Sequence, residues 1–281
     1  AAPPPPSNGA DDLEWARSPE DFALFARQAS PETDKTTSHV YQFMYQPYLK
    51  KVWERKKSEG GDRTFRIFEI GLGCGMPVGA GGGVKLWRAL FDNQATADAK
   101  IRPEIHIMEY SGKCVESWMR ENAPLLENPK VTIHVGDQSN ATDLRRVMME
   151  SGNTPFDVIV DDGSHVNHHQ RFSLQHLFPD WLAAGGVYFL EDVHSACTDW
   201  GVNGGGKQQA RAEDNSVRGG AGGDCFQLPS GEPTIMATVQ KWQMDLGGRG
   251  SRNIQELPGL AHIDQFTEAV VFEKMVAAPA R

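Results

Sequence analysis

From residue 64 onward, two kinds of apolar segment alternate along the chain. Short runs rich in Val, Ile and Phe are typical of buried strands, and longer segments with apolar residues every three or four positions are typical of helices. The strands are predicted at Thr64–Ile70, Glu104–Glu109, Val131–Val135, Phe156–Val160 and Gly186–Leu190. This alternation favours an α/β fold whose mostly parallel sheet carries helices on both faces.

The helical segments follow the strands one by one. They are predicted at Val84–Phe91, Ser111–Asn122, Asn140–Ser151 and residues 167–183, with a further helix at Pro233–Leu246. Ser111 is a plausible N-cap. The chain ends in two predicted strands, Ile254–His262 and Ala269–Glu273, whose short connection favours an antiparallel pair.

Three segments differ in composition from this α/β pattern. Residues 1–10 are Pro-rich and predicted to be disordered. Residues 11–62 form a predicted N-terminal helical cap with helices at Asp11–Gln28 and Ser38–Lys57, the second of which contains Pro47, a residue that can kink a helix. The remaining residues, 63–281, form the α/β domain, in which the Gly-rich segment 199–223 is expected to be disordered or a mobile lid.

The bulk composition excludes several classes of protein. With 281 residues, 39% hydrophobic, the chain is long enough for a sizeable core. A net charge of −9 without a basic stripe argues against nucleic acid as a partner, and no apolar run is long enough to span a membrane. The chain begins with Ala and lacks a signal-peptide pattern, so we expect a soluble, processed or excised piece whose targeting segment can be missing. The compartment stays unknown, with the cytoplasm favoured.

The four cysteines show no metal-binding or redox spacing. Cys74, Cys114, Cys197 and Cys225 contain no CxxC pair. We therefore expect free thiols in a reducing compartment, with a Cys197–Cys225 bridge as the open alternative.

A glycine-rich turn follows the first predicted strand. Glu69, Gly71 and Gly73 belong to the sequence EIGLGCG, which lies between a strand and a helix. Glycines permit a tight turn and let a ligand approach the backbone, and the acidic side chain can hold an ammonium group. Simple turn chemistry is the alternative explanation.

Polar residues also close the second and third predicted strands. Glu109 can accept hydrogen bonds from ribose hydroxyls, although it lies further from the glycines than is usual in nicotinamide-binding folds. Asp137 and Gln138 can address the amine of an adenine. The alternatives are a carboxylate that caps the next helix at Glu109 and N-cap chemistry in the sequence DQSN.

Two acidic pairs close the fourth and fifth predicted strands. Asp161 and Asp162 begin the sequence DDGSH, and Glu191 and Asp192 follow the fifth strand. Carboxylates brought together by adjacent strands repel each other unless a cation joins them, and oxygen ligands suit Mg²⁺. His165 follows Asp162 closely enough to take a proton from a hydroxyl group held there. Acidic residues at helix starts, stabilised by the helix dipole, are the alternative.

Taken in order, these motifs resemble those of the class I S-adenosylmethionine-dependent methyltransferases. The pairing of DDGSH with a later ED resembles the macrolide-sugar O-methyltransferases and the related rhamnosyl methyltransferase and cephalosporin hydroxylase group. The resemblance implies a Rossmann-like, seven-stranded sheet with a C-terminal antiparallel pair.

The resemblance also implies roles for individual residues. It implies a Mg²⁺ ion held by Asp162, Glu191 and Asp192, and His165 as general base. The cofactor contacts implied are as follows: Glu69, Gly71, Gly73, Glu109, Asp137 and Gln138. Asp161 is expected to support either the turn or the cofactor.

The expected function is therefore Mg-dependent O-methylation of a small molecule, with a sugar or glycoside hydroxyl as the first choice of acceptor. Two alternatives stay open at this point: a nicotinamide-dependent oxidoreductase on the same sheet, and a cofactor-binding interaction module with little turnover. A homo-oligomer is possible. The auxiliary N-terminal domain of the macrolide enzymes is reduced here to about 60 residues or absent, which leaves the acceptor open.

Overall fold

A seven-stranded sheet organises the computed structural model, which describes residues 14–29, 33–59, 63–91, 101–127, 130–197, 225–228, 231–248 and 254–276. The segments 1–10 and 199–223, which we expected to be disordered, lie outside these residues. The strands are β1 (Thr64–Ile70), β2 (Arg102–Glu109), β3 (Lys130–Val135), β4 (Phe156–Asp161), β5 (Leu182–Leu190), β6 (Leu260–Gln265) and β7 (Val270–Lys274).

The strand order is β3-β2-β1-β4-β5-β7-β6. Neighbours from β3 to β5 pair in parallel, and β7 runs antiparallel to both β5 and β6. The predicted α/β sheet with a C-terminal antiparallel pair is confirmed. Because β1, β4 and β5 are adjacent and parallel, their carboxyl ends lie at the same edge of the sheet.

Seven α-helices belong to the described ranges. They are α1 (Pro19–Gln28), α2 (Gln42–Ser58), α3 (Gly82–Phe91), α4 (Gly112–Glu121), α5 (Ala141–Glu150), α6 (Asn167–Trp181) and α7 (Ile235–Gly247). The expected N-cap at Ser111 is present, since its hydroxyl accepts from the Cys114 amide at 3.4 Å. No helix within the described ranges is both long and apolar enough to cross a membrane.

Two buried clusters cover the two faces of the sheet. On one face, Phe65 and Ile67 of β1 pack with side chains from α1 to α4. On the other face, Phe68 and Ile70 pack with side chains from α5, α6 and α7. Alternate residues of one strand point to opposite faces, so a strand buried on both sides needs an apolar residue at nearly every position. The N-terminal helices thus share one core with the sheet.

Three predicted boundaries are wrong. The expected helix from Asp11 begins at Pro19, after Ser18 caps its first turn with a 3.2 Å bond from Asp21 N. The expected helix from Ser38 begins at Gln42, because a 3₁₀ turn at Asp34–Thr36 and a bend precede it. The expected strand at Ile254–His262 is shifted to β6, since residues 255–259 form turns.

The expectation of free thiols is also wrong. Cys74 and Cys114 form a disulfide, and Cys225 is disulfide-bonded too. Cys74 lies in the loop after β1 and Cys114 in the first turn of α4, after β2. Because β1 and β2 are adjacent parallel strands, the segments that follow them meet at the same edge of the sheet. Sequence spacing carried no signal of this contact. The side chain of Cys197 is outside the described part, so the alternative Cys197–Cys225 pairing stays open.

Candidate functional site

The acidic residues after β4 and β5 meet at the carboxyl edge of the sheet. Asp161 pairs with Ile70 on one side and with Leu190 on the other, so the next residue of each strand lies at this edge. Backbone bonds continue the ladder for one step, from Asp162 N to Ile70 O and from Glu191 N to Asp161 O, each at 3.0 Å. The structure therefore brings together the two acidic pairs that the sequence places 30 residues apart.

A buried lysine from the N-terminal segment lies among these carboxylates. The Lys35 ammonium is 2.6 Å from Asp162 Oδ2, 2.6 Å from Glu191 Oε2 and 3.4 Å from Glu69 Oε1, and its side chain is 2% exposed. Burial acts to lower the pKa of Lys35, but the charges of Asp162 and Glu191 outweigh it and hold the pKa well above the usual value. Lys35 is therefore a fixed positive charge within the site.

Two tyrosines of the same N-terminal segment donate hydrogen bonds to Glu191 and Asp192. Tyr45 donates its hydroxyl to Glu191 Oε1, and Tyr41 donates to Asp192 Oδ1 at 2.6 Å. Burial raises the pKa of both tyrosines, so both stay protonated donors. Sequence reasoning missed Lys35, Tyr41 and Tyr45 as residues of the site. The available signal was the spacing of four between Tyr41 and Tyr45, which places both on one side of a helical turn.

His165 faces two of the predicted metal ligands. Its Nε2 lies 3.5 Å from Asp192 Oδ2 and 3.8 Å from Asp162 Oδ1. One ligand atom each of Asp162, His165 and Asp192 lies within 4.8 Å of the others, which is close enough to hold one metal ion; the predicted ligand Glu191 does not belong to this group. Burial acts to raise the pKa of Asp192, but the charge of His165 and the Tyr41 bond outweigh it and lower that pKa.

Glu191 lies deeper than the other two predicted ligands. It is 1% exposed, and its two oxygens accept from Lys35 and Tyr45. Burial raises the pKa of Glu191 well above its usual value, with the Lys35 charge opposing it. Its carboxylate therefore lies behind Asp162 and Asp192, next to the ammonium.

Glu69 is enclosed in the core at the end of β1. It is 1% exposed and accepts from Trp87 Nε1 at 2.7 Å. A Cβ on Gly83 would lie 2.2 Å from its Oε2, so the first turn of α3 packs closely against it. Burial raises the pKa of Glu69 to about 7, against the opposing charge of Lys35. Its nearest cation is the lysine of the chain itself.

The glycine-rich turn packs against the DDGSH segment. Gly71 has a φ of +108°, and a Cβ there would lie 2.1 Å from the carbonyl oxygen of Asp162. Glu109 closes the same turn, since its carboxylate accepts from Leu72 N at 3.1 Å and from Ser111 N at 2.9 Å. Gly73 also has a positive φ, +80°. The predicted cofactor residues at β1 and β2 thus form one continuous edge.

Gln138 and Asp161 hold the DDGSH turn from within. The Gln138 amide donates to Asp161 Oδ1 at 3.0 Å, and its carbonyl accepts from Ser164 N at 2.7 Å. Asp161 is fully buried and also accepts from Ser173 and from Tyr188 at 2.9 Å. Both residues that we expected at the cofactor are therefore occupied in fixing the turn that carries Asp162 and His165.

Asp137 and Asn140 organise the turn after β3. Asp137 Oδ1 accepts from Ser139 N at 2.8 Å, and Asn140 Oδ1 caps α5 by accepting from Thr142 N at 2.9 Å. The capping alternative for this motif is present at Asn140. Asp137 is partly exposed whereas Gln138 is buried, so Asp137 is the one of these two predicted cofactor residues that a ligand can reach.

Comparison with known proteins adds sequence similarity to this geometry. No family model matches the chain. It is 27% identical over 169 residues to mycinamicin VI 2''-O-methyltransferase of Micromonospora griseorubida, covering 59% of this chain and 37% of that protein. It is 30% identical over 145 residues to demethylmacrocin O-methyltransferase of Streptomyces fradiae, covering 51% and 31%. With L-olivosyl-oleandolide 3-O-methyltransferase of Streptomyces antibioticus it shares 30% identity over 206 residues, covering 66% and 46%.

The chain spans less than half the length of these curated relatives. Among solved structures, the MycE methyltransferase of the mycinamycin biosynthetic pathway, in complex with Mg, SAH and mycinamycin VI, matches with a TM-score of 0.59. The identity is 20%, and the match covers 93% of this chain and 56% of that one. The fold is that of the Rossmann-like methyltransferases. The resemblance to class I O-methyltransferases that the motifs indicate is thereby confirmed.

Proposed function

We propose that this chain is an S-adenosylmethionine-dependent O-methyltransferase that acts on a hydroxyl group of a small molecule, of the sugar or glycoside class. The observation that carries the proposal is the position of His165. Its Nε2 lies between the outward oxygens of Asp162 and Asp192, at the edge of a sheet whose fold and sequence resemble O-methyltransferases. The sugar class is supported by the name of one sequence relative, L-olivosyl-oleandolide 3-O-methyltransferase, which names a glycosyl group on its acceptor.

The cofactor would supply an electrophilic methyl group on a sulfonium. We assign it to the edge formed by Gly71, Gly73, Glu109 and Asp137. This edge fits a nucleoside, because Glu109 lies at intermediate exposure at the end of β2, where its oxygens can accept from ribose hydroxyls. The hydrogen bonds described above would stabilise this edge from its buried side; they involve Glu69, Gln138 and Asp161.

The donor set fits a divalent cation. One oxygen of Asp162 and one of Asp192 lie within 4.8 Å of each other and of a ring nitrogen of His165, and oxygen ligands suit Mg²⁺. The Lys35 ammonium, 2.6 Å from both Asp162 and Glu191, is a cation already held by two of the predicted ligands. We assign the ion to the outward oxygens of Asp162 and Asp192. Glu191, the third predicted ligand, lies behind them and is held there by Lys35 and Tyr45. The chemistry of the ion would be to lower the pKa of the acceptor hydroxyl.

His165 would act as the general base. Its imidazole would accept the proton of the acceptor hydroxyl at Nε2. The oxygen would then bond to the methyl carbon in line while the carbon–sulfur bond of the sulfonium breaks, so that S-adenosylhomocysteine leaves as a neutral thioether. The imidazolium that results is stabilised by Asp192 and Asp162, whose oxygens lie 3.5 and 3.8 Å from Nε2. Proton removal and positive-charge stabilisation thus occur at one nitrogen atom.

The test is methyl transfer itself. The protein is incubated with labelled S-adenosylmethionine and an extract of its source, with and without EDTA, and the labelled product is identified. Calorimetry with S-adenosylhomocysteine and NAD, side by side, accompanies it. We expect binding of the first ligand alone and a product methylated on a sugar hydroxyl only when EDTA is absent. Binding of NAD alone would overturn the proposal, and full transfer in EDTA would remove the divalent cation from it.

A further inference from the structure

We propose that Lys35 is a positioning residue for the divalent-cation site: a permanent internal cation that fixes the inward oxygens of Asp162 and Glu191. The lysine stays in place when the divalent cation binds, instead of giving up its position to it. This inference rests on the proposed function, and it adds a residue from outside the sheet to the machinery of the site.

The first argument is the division of the carboxylate oxygens into two sets. The N-terminal segment holds Asp162 Oδ2 through Lys35, both oxygens of Glu191 through Lys35 and Tyr45, and Asp192 Oδ1 through Tyr41. The other oxygens of the two aspartates, Asp162 Oδ1 and Asp192 Oδ2, face His165 Nε2. A carboxylate held at one oxygen presents the second in a fixed direction, which is how outer partners orient metal ligands.

The second argument is the anchoring of the segment that carries the lysine. Thr33 Oγ1 accepts from Lys35 N at 3.3 Å, and Tyr41 N donates to Lys35 O at 3.0 Å. Further along, His39 Nδ1 lies 2.5 Å from Glu268 Oε2, next to β7. These contacts fix the backbone of Lys35, and its side chain is only 2% exposed, so the structure favours a lysine that stays in place over one that moves out when a metal ion arrives.

The third argument is charge. Three carboxylates lie within 3.4 Å of this single ammonium, and Asp192 lies beyond them. The ammonium contacts Asp162 but not Asp192, so the Asp192 carboxylate still attracts a divalent cation on the outward side. Removing the ammonium would leave Glu191 and Glu69 buried without their cation, a change that is strongly unfavourable in a protein interior.

The test is metal affinity, measured with Mn²⁺ by electron paramagnetic resonance and calorimetry. We compare the unaltered protein with Lys35→Met, Lys35→Gln and Lys51→Met. Lys51 pairs with Glu273 on the surface, so its variant controls for loss of one positive charge. We expect Lys35→Met to weaken Mn²⁺ binding about 10- to 100-fold, the usual effect of losing an outer partner of a metal ligand. Lys35→Gln keeps N–H donors and should lose less, and Lys51→Met should bind as the unaltered protein does.

Unchanged or tighter binding by Lys35→Met would overturn the proposal, because a lysine that competes with the metal ion gives tighter binding when removed. A purely structural lysine would lower the melting temperature without changing the Mn²⁺ affinity. Absence of Mn²⁺ binding by the unaltered protein would instead contradict the divalent-cation part of the proposed function, and this inference with it. If the unaltered protein binds Mn²⁺ and Lys35→Met binds it with the same affinity, only the proposed role of the lysine is overturned.

A second measurement needs no variant and decides the matter if Lys35→Met does not fold. The unaltered protein is acylated with an amine-reactive ester, with and without Mg²⁺, and the modified lysines are identified by mass spectrometry. We expect Lys35 to stay unmodified in both conditions while Lys51, with its side chain 66% exposed, reacts. Modification of Lys35 that appears only with Mg²⁺ would show displacement and overturn the proposal.

Discussion

His165 Nε2 lies 3.5 Å from Asp192 Oδ2, and both residues adopt left-handed backbone conformations, with φ of 54° and 55°. Few non-glycine residues take this conformation, although Asp and His do so more readily than most, and strained backbone positions cluster at active sites. Here the two turns direct the imidazole and the carboxylate toward each other from the ends of β4 and β5. The base and its stabilising anion thus depend on backbone geometry as well as on side-chain identity.

The first prediction concerns His165→Asn. Asparagine tolerates a positive φ better than most residues, so this change removes the base without straining the turn. We expect methyl transfer to fall about 10²- to 10⁴-fold, the usual contribution of a general base, while binding of S-adenosylhomocysteine is unchanged. Single-turnover kinetics and calorimetry measure the two quantities.

The matched control for that variant is His176→Asn. His176 is an exposed residue on α6, where its ring contacts the carbonyl oxygen of Phe172. Full activity is expected for the control. If His165→Asn retained full transfer, the base would have to be another group.

The second prediction compares two glycines with similar backbone conformations. Gly71 has φ +108° and no room for a Cβ, whereas Gly79 has φ +90° and no atom within 4 Å of an added Cβ. Gly79→Ala should therefore cost only the backbone strain, roughly 1 kcal/mol of unfolding free energy. Gly71→Ala adds a collision with the Asp162 carbonyl and should cost roughly 2 kcal/mol more. Urea unfolding measures the loss of unfolding free energy in both variants. Equal losses would contradict the close packing of the glycine-rich turn against the DDGSH segment.

The third prediction concerns the Cys74–Cys114 disulfide. Replacing both residues by serine opens a loop whose ends are 40 residues apart, so the unfolded chain gains conformational freedom. We expect the free energy of unfolding to fall by about 2–4 kcal/mol. Thermal unfolding of the double-serine variant tests this, and a melting temperature equal to that of the unaltered protein would argue against the bond.

The fourth prediction follows from the pKa of Glu69, which burial raises from 4.5 to about 7. Between these values the folded protein holds a proton that the unfolded chain releases, so this group's contribution to stability is present below pH 4.5 and lost as the pH rises toward about 7. Glu69→Gln cannot titrate. We expect the unaltered protein, free of metal and cofactor, to lose roughly 3 kcal/mol relative to this variant over that range.

Urea unfolding across this pH range, carried out in EDTA, measures the difference between the two proteins. Above about pH 8, where Glu69 is ionised in both the folded and the unfolded state, the difference should no longer change with pH. A difference that is constant over the whole range would mean that Glu69 is ionised throughout.

The sequence by itself determined the α/β order, the strand-ending acids and the histidine that follows them. Strands such as β4 are buried on both faces, so their apolar runs are visible in the sequence, and the polar residues that end them mark the edge of the sheet. The boundaries near residues 38 and 254 were wrong because buried apolar side chains there belong to turns and not to regular elements.

Only the tertiary structure decided which groups neutralise the acids. Lys35 is 127 residues from Asp162 and 156 from Glu191 in sequence, and no local pattern predicts a contact over that distance. The same holds for the Cys74–Cys114 bond, which depends on β1 and β2 being neighbours. Local periodicity is fixed by the chain's own covalent geometry, whereas a cation finds its carboxylates only when the sheet and the N-terminal segment pack together.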